Sequence, residues 1–211
     1  MNQFVKLYQE LKSKCGRPAG QWHLWCKRPK TKKEREQVII EAVLTQRTNW
    51  QNVEQAVSHL KKAKVYTLKD ILRIDKQRLA KLIKPSGFYR AKASYLYSLA
   101  KFIMENYSSL EKMQRENPLL LRKRLLNLKG IGPETADSIL LYGLDKPFFV
   151  IDEYTRRLVK RKRLSNNLAY HHLQNLFMQN LKKDYRLFQD FHALIVIAAK
   201  TNRIPQRKSV K

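Results

Sequence analysis

Cysteine, glycine and acidic residues are all scarce in this chain. Its 211 residues hold two cysteines, six glycines and 17 Asp and Glu, against 44 Lys and Arg. Cys15 and Cys26 are too few for a four-cysteine iron-sulfur site or a zinc knuckle, and in a reducing compartment a disulfide between them is not expected. No apolar run approaches the roughly 20 residues of a spanning helix, and the positive charge is spread along the chain instead of gathered in one amphipathic stretch, which speaks against a membrane partner. The opening "MNQFVKLYQELKSK" lacks an apolar signal core and carries the amphipathic pattern Phe4, Leu7, Tyr8, Leu11, so a cytoplasmic location is expected.

What the chain has in excess is positive charge. A formal net charge of +27 and a pI of about 10.3 disfavour a compact fold by self-repulsion unless a polyanion is near. Nucleic acid is the obvious polyanion, because Lys and Arg meet its phosphates with release of counterions.

Helical periodicity dominates the hydrophobic pattern. Residues 35–46 place Val38, Ile39, Ala42 and Val43 on one stripe, and 50–62 do the same with Val53, Ala56, Val57 and Leu60. Further helices are expected at about 68–74, 76–84, 90–106, 118–127, 133–143, 152–161, 168–182 and 185–200. No stretch alternates as a strand, so the fold class is all-α. The breaks carry turn chemistry: "GRPAG" at 16–20, "KPSG" at 84–87, "ENP" at 116–118 and "GIGP" at 130–133. "CKRPKTKKER" at 26–35 reads as an exposed basic loop and "RIPQRKSVK" at the C-terminus as a frayed tail.

Two of the six glycines stand one residue apart in "LKGIGPETAD". Gly130 and Gly132 permit a tight turn, Pro133 suits a first helical position, and a turn at a helix start is an anion cradle. Leu128 and Ile131 would anchor it apolarly. An ordinary helix-turn-helix connection would use glycine in the same way.

"LKGIGPETADSIL" followed by "VIDEYTRRL" resembles the helix-hairpin-helix and aspartate signature of the endonuclease III superfamily of DNA base-excision glycosylases. The likeness extends to "AVLTQRTNWQNV" at 42–53 and "PSGFYRAKA" at 85–93, and so covers most of residues 35–200. It implies two lobes with an interlobe cleft: a helical barrel over 35–146 carrying the hairpin at about 120–143, and a second lobe made of 1–34 with 147–211. It also implies a protein acting as a monomer, associated with the nucleoid, on double-stranded DNA containing a damaged base.

By this resemblance Asp152 is the catalytic carboxylate. Glycosidic cleavage leaves positive charge on the sugar, which a fixed carboxylate stabilises; capping the helix 153–161 is its other plausible task. Bifunctional members carry an imine-forming lysine where this chain has Glu134, and a carboxylate cannot form an imine. The expectation is therefore base removal without strand cleavage, with Lys129 standing out of register for that role. Gly130, Gly132, Lys129 and Thr135 would grip the DNA backbone. Gln46 would fill the gap left by the extruded base, Phe88 would wedge into the opposite strand beside Tyr89, and Arg90, Lys92 and Arg156 would face phosphates.

"GQWHLWCKRP" resembles the tryptophan-rich segment of the cluster-free 3-methyladenine glycosylase branch, so no iron-sulfur cluster is expected. Trp22 and Trp25 are the candidate platform for a cationic alkylated purine, although Trp25 would equally plug a junction between lobes. Glu134 and Glu41 are further candidates for the base pocket, Glu41 being read first as a solvated helix residue. The branch places a pocket lysine near Leu194, where this chain is apolar. His192 is read as a hydrogen-bonded core histidine. The rivals are a bifunctional enzyme, a glycosylase for mismatched or deaminated bases, and a non-catalytic DNA-binding hairpin.

Overall fold

The computed structural model describes residues 2–204. The expected frayed tail lies, from residue 205 on, outside them. The described residues form thirteen α-helices and no strand, and they divide into two units, residues 28–144 and residues 2–27 with 145–204.

The first of these units is built on α3 (Lys32–Leu44), which packs against α4 (Trp50–Lys62), α7 (Tyr89–Tyr107), α8 (Leu110–Arg115) and α10 (Pro133–Ser138). It starts in a capping box: the Thr31 hydroxyl accepts from the Glu34 N–H, and the Glu34 carboxylate accepts from the Thr31 N–H at 2.8 Å. This cap ends the expected basic loop four residues early. Lys30 within that loop is buried.

Residues Val38 to Leu44 are all buried, because α3 is covered on every side and not along one stripe. Glu36 is buried with them, and its carboxylate receives the Leu68 N–H at 2.8 Å, fixing the start of α5 (Leu68–Arg73). With α6 (Lys76–Leu82), α5 packs on α7.

Helix α9 (Pro118–Leu126) leads into the glycine turn and α10. The single helix expected over 133–143 changes character at Ile139, where Ile139–Gly143 widens into a π turn lying on α3. Gly143 allows that approach: a Cβ there would meet Ile39 at 2.8 Å. The Arg35 guanidinium donates to the Gly143 carbonyl at 2.9 Å. Helix α8 falls between expected elements and owes its start to Ser109, whose hydroxyl accepts from the Lys112 N–H.

The second unit surrounds an aromatic core. Helix α1 (Gln3–Cys15) packs on α12 (Tyr170–Asn180) and α13 (Tyr185–Lys200), and α11 (Glu153–Lys162) also packs on α13. The Phe149 and Phe177 rings stack at 4.3 Å, Phe4 meets Phe177 edge-on at 5.0 Å, and Phe188 and Phe191 complete the cluster. Truncating a ring such as Phe177 to alanine would cost about 3–5 kcal/mol. Trp22–Trp25 forms one short helical turn, α2. No helix among the described residues is long and apolar enough to cross a membrane.

Candidate nucleic-acid interface and catalytic carboxylate

The glycine turn is held from several directions within its unit. Gly130 has φ +82°, and any Cβ there would fall inside the Tyr95 ring, so both conformation and space call for glycine. Ile131 anchors the turn apolarly at 3% exposure. The Arg122 guanidinium grips the fully buried Asp137 carboxylate with two bonds of 2.7 and 3.0 Å, which staples α9 to α10. Gln46 reaches in from the end of α3 and donates to the Gly130 carbonyl at 2.8 Å and the Thr135 hydroxyl at 3.0 Å.

Gln46, Phe88, Lys92, Gly130, Glu134 and Thr135 all line one open cavity of about 490 Å³. Three stretches far apart in the chain thus meet at one surface. Gly132 and Glu134 are exposed there, Lys129 and Arg90 are exposed next to its lining residues in the chain, and Tyr89 is half-buried with the Arg90 guanidinium 5.8 Å from its ring. Phe88 is 65% exposed with φ +46°, presented at the tip of its turn as α7 begins.

Three of the expected assignments in this unit need correction. Lys92 does not face phosphate: it is 1% exposed, and Nζ donates to the carbonyls of Leu44 at 2.7 Å and Ser86 at 2.6 Å. One helical turn after Phe88, its side chain points back into the unit instead of out with Arg90. Thr135 is buried, and its hydroxyl accepts from the Gln46 amide at 3.0 Å, which makes it a brace of the hairpin and not an exposed grip. Glu41 is not solvated; it is 3% exposed and accepts from the Gln37 amide at 2.7 Å, because α3 is covered all round. It lines a small cavity with Ile40, Val57 and Tyr66, separate from the one at the hairpin.

In the other unit Asp152 stands at the N-cap of α11. One carboxylate oxygen receives both the Thr155 N–H at 2.7 Å and the Thr155 hydroxyl at 2.8 Å. The other faces His192 Nε2 at 3.5 Å. The carboxyl is buried at 9% residue exposure. Burial by itself would raise its pKa, but the interaction with His192 and the two donors of Thr155 outweigh it and hold the carboxyl below the usual carboxylate range. Asp152 is thus the cap of α11, with its second oxygen turned toward His192.

His192 is buried, as a core residue should be, yet it lies against the candidate catalytic group. The Trp22 ring meets His192 edge-on at 5.5 Å and Trp25 edge-on at 5.8 Å. The two indoles, each near 5% exposure and crossed at 87°, do not form a parallel platform for a base, because they pack into each other. Arg156 also departs from expectation. Its guanidinium is turned onto the Leu168 and Ile151 carbonyls at 3.3 and 3.4 Å and lies 5.9 Å from the Tyr170 ring, so it braces its own unit. Arg157 pairs with Glu153 at 2.9 Å on the exposed face of α11.

Sequence reasoning missed Lys200. Desolvation pulls its amine down in pKa, and the Asp152 charge opposes that shift. Its Nζ donates to Gln21 Oε1 at 2.9 Å. Helical spacing held the clue: Lys200 lies eight residues, about two turns, beyond His192 on α13. Among the described residues no group of three His, Cys, Asp or Glu is placed to hold a metal ion.

The arrangement agrees with what comparison to known proteins returns. A candidate DNA repair glycosylase of Methanocaldococcus jannaschii is 44% identical over 165 residues, spanning 77% of this chain and 75% of that one. Endonuclease III of Thermotoga maritima is 32% identical over 136 residues, spanning 63% and 60%. Among solved structures, Helicobacter pylori 3-methyladenine DNA glycosylase bound to 1,N6-ethenoadenine superposes with a TM-score of 0.79 at 29% identity, covering 96% of this chain and 99% of that one. An endonuclease III–DNA complex shares the fold at a TM-score of 0.71 and 18% identity, over 94% and 86%. The family description "HhH-GPD superfamily base excision DNA repair protein" matches residues 40–183. With its glycine hairpin, buried aspartate and all-α architecture, the chain belongs to the HhH-GPD superfamily of base excision repair DNA glycosylases.

Proposed function

We propose that the chain is a monofunctional glycosylase that hydrolyses the N-glycosidic bond of a flipped-out alkylated purine such as 3-methyladenine. It would act as a monomer on duplex DNA, in the cytoplasm at the nucleoid, without an iron-sulfur cluster. The observation that carries this reading is Asp152, a buried carboxylate that receives two donors from Thr155 and faces His192.

As the C1′–N bond breaks, the base departs with the electron pair and the sugar becomes cationic. Asp152 stabilises that charge, and water adds to C1′ as its proton passes to the carboxylate or to solvent. A purine alkylated at N3 or N7 is already cationic and leaves neutral, so it needs no general acid. The Helicobacter pylori relative, named for 3-methyladenine, supports this substrate class. Glu134 at the exposed start of α10 supports hydrolysis over imine chemistry.

The test is a panel of lesion-bearing duplexes incubated with the protein and then heated in alkali to reveal abasic sites. Release from methylated purines is expected, and its absence would remove the substrate assignment. The second reading is a bifunctional enzyme with a displaced lysine, for which Lys200, on the same helix as His192 with its Nζ donating to Gln21 at 2.9 Å, is the amine to test. Borohydride trapping separates the two. An adduct with the unaltered protein that disappears in Lys200→Ala would establish lyase activity; no adduct is the monofunctional result.

A further inference from the structure

We infer that Lys92 is a positioning residue for base extrusion, a buried ammonium that locks the two loops carrying Gln46 and Phe88 into one geometry; the inference rests on the glycosylase reading above. The two carbonyls it holds are placed alike. Leu44 ends α3, and two residues later stands Gln46; Ser86 ends the short turn Lys84–Ser86, and two residues later stands Phe88. Each loop then passes through a left-handed residue that is not glycine, Arg47 at φ +48° and Phe88 at φ +46°. Such conformations persist only where neighbouring contacts over-determine them. Gln46 continues the linkage to the Gly130 carbonyl and the Thr135 hydroxyl, so one ammonium connects the Phe88 turn, the Gln46 loop and the hairpin. All of these but Leu44 and Ser86 line the same open cavity.

A charge is an expensive way to fill a core. No carboxylate pairs with Lys92 among the described residues, and methionine would occupy similar space without desolvation. Burial pulls the amine down to about 8, which is the mark of that expense. What the ammonium supplies in return is three donors from one atom, enough to hold two carbonyls on separate loops with charge-assisted bonds. Extrusion requires a filler and a wedge to arrive together, and misplacing such groups by about 1 Å costs roughly 100-fold in rate.

The test uses a duplex with a tetrahydrofuran abasic analogue and 2-aminopurine opposite it, whose fluorescence reports unstacking. The unaltered protein should raise the signal on binding. In Lys92→Met, duplex affinity should stay within about threefold while the fluorescence rise and single-turnover base release fall roughly tenfold or more. The release defect should shrink to about threefold or less on a lesion strand whose partner base is missing, where extrusion costs less. Lys92→Gln, which keeps a neutral donor, should fall between, and melting curves establish that both variants are folded at the assay temperature.

Normal fluorescence and release in both variants, or equal loss on the two substrates, would overturn the inference while leaving the glycosylase reading in place. No fluorescence rise and no release with the unaltered protein would overturn both.

Discussion

Each unit of this protein buries a charged side chain beside residues of the candidate site, Asp152 in one and Lys92 in the other, and the two are treated in opposite ways. Asp152 receives two donors from Thr155 and faces His192, and its pKa falls. Lys92 receives only two carbonyls, and its pKa falls as well. For an acid a lowered pKa means that the charged form is favoured, and for a base it means that the charged form is strained. The carboxylate is thus favoured as an ion, the form that the proposed stabilisation of a cationic transition state requires. The ammonium is tolerated for the geometry it imposes.

The largest expected effect comes from removing the first charge. Asp152→Asn keeps an acceptor for Thr155 and so the α11 cap, but base release should fall about 1,000-fold with duplex binding retained, a loss near 4 kcal/mol of transition-state stabilisation. Single-turnover release measured beside filter binding checks it; unchanged release would take Asp152 out of the reaction. The folded pKa lies below the unfolded one, so the stability this group adds is present above about pH 4 and lost as pH falls through the folded value.

The second charge predicts a pH dependence of the same sign in a higher window, because a strained ammonium is a penalty that is relieved as pH rises. Between about 8 and 10.5 the unfolded chain keeps the Lys92 proton that the folded chain has released, so stability rises with pH through that window. At about 1.4 kcal/mol per unit the gain sums to about 3 kcal/mol. Urea unfolding at pH 7.5 and pH 10 should show the unaltered protein gaining on Lys92→Met by an amount of that order. A constant gap would mean that the amine is not desolvated.

Gly130→Ala tests the backbone on the same side of the comparison. The positive φ and the Tyr95 ring together should cost about 1–3 kcal/mol, read as a lowered unfolding midpoint with weakened duplex binding. Phe88→Ala should have the smallest effect on stability, within about 0.5 kcal/mol, since its ring is largely in solvent. Base release should nevertheless fall severalfold if the ring enters the duplex; unchanged release would leave it a surface residue.

Most of the helices were legible in the sequence because periodicity and caps are local. Asp152 is legible as the cap of α11, whereas the capping boxes of Thr31 with Glu34 and Thr67 with Asp70 are equally local signals that the helix expectations did not draw on, the first lying in the expected basic loop. Where the local signal is weak the reading failed: α8 has six residues and α2 four, too short for a period to show. The switch to a π turn at Ile139 is set by how closely Gly143 can approach Ile39 on α3, a contact more than a hundred residues distant in the chain.

The candidate site divides along the same line. The chain's own residue order determined the glycine turn, the carboxylate after it and the absence of an amine at position 134, because these depend on residue type and spacing. Only the tertiary structure decided which way side chains point. Lys92 turns inward to carbonyls 48 and 6 residues away, Glu41 disappears beneath neighbouring helices, Trp22 and Trp25 cross instead of stacking, and Lys200 reaches back to Gln21. The physical reason is that a helical period marks a face without naming what covers it. The cost of burying a charge is settled by partners supplied from elsewhere in the chain.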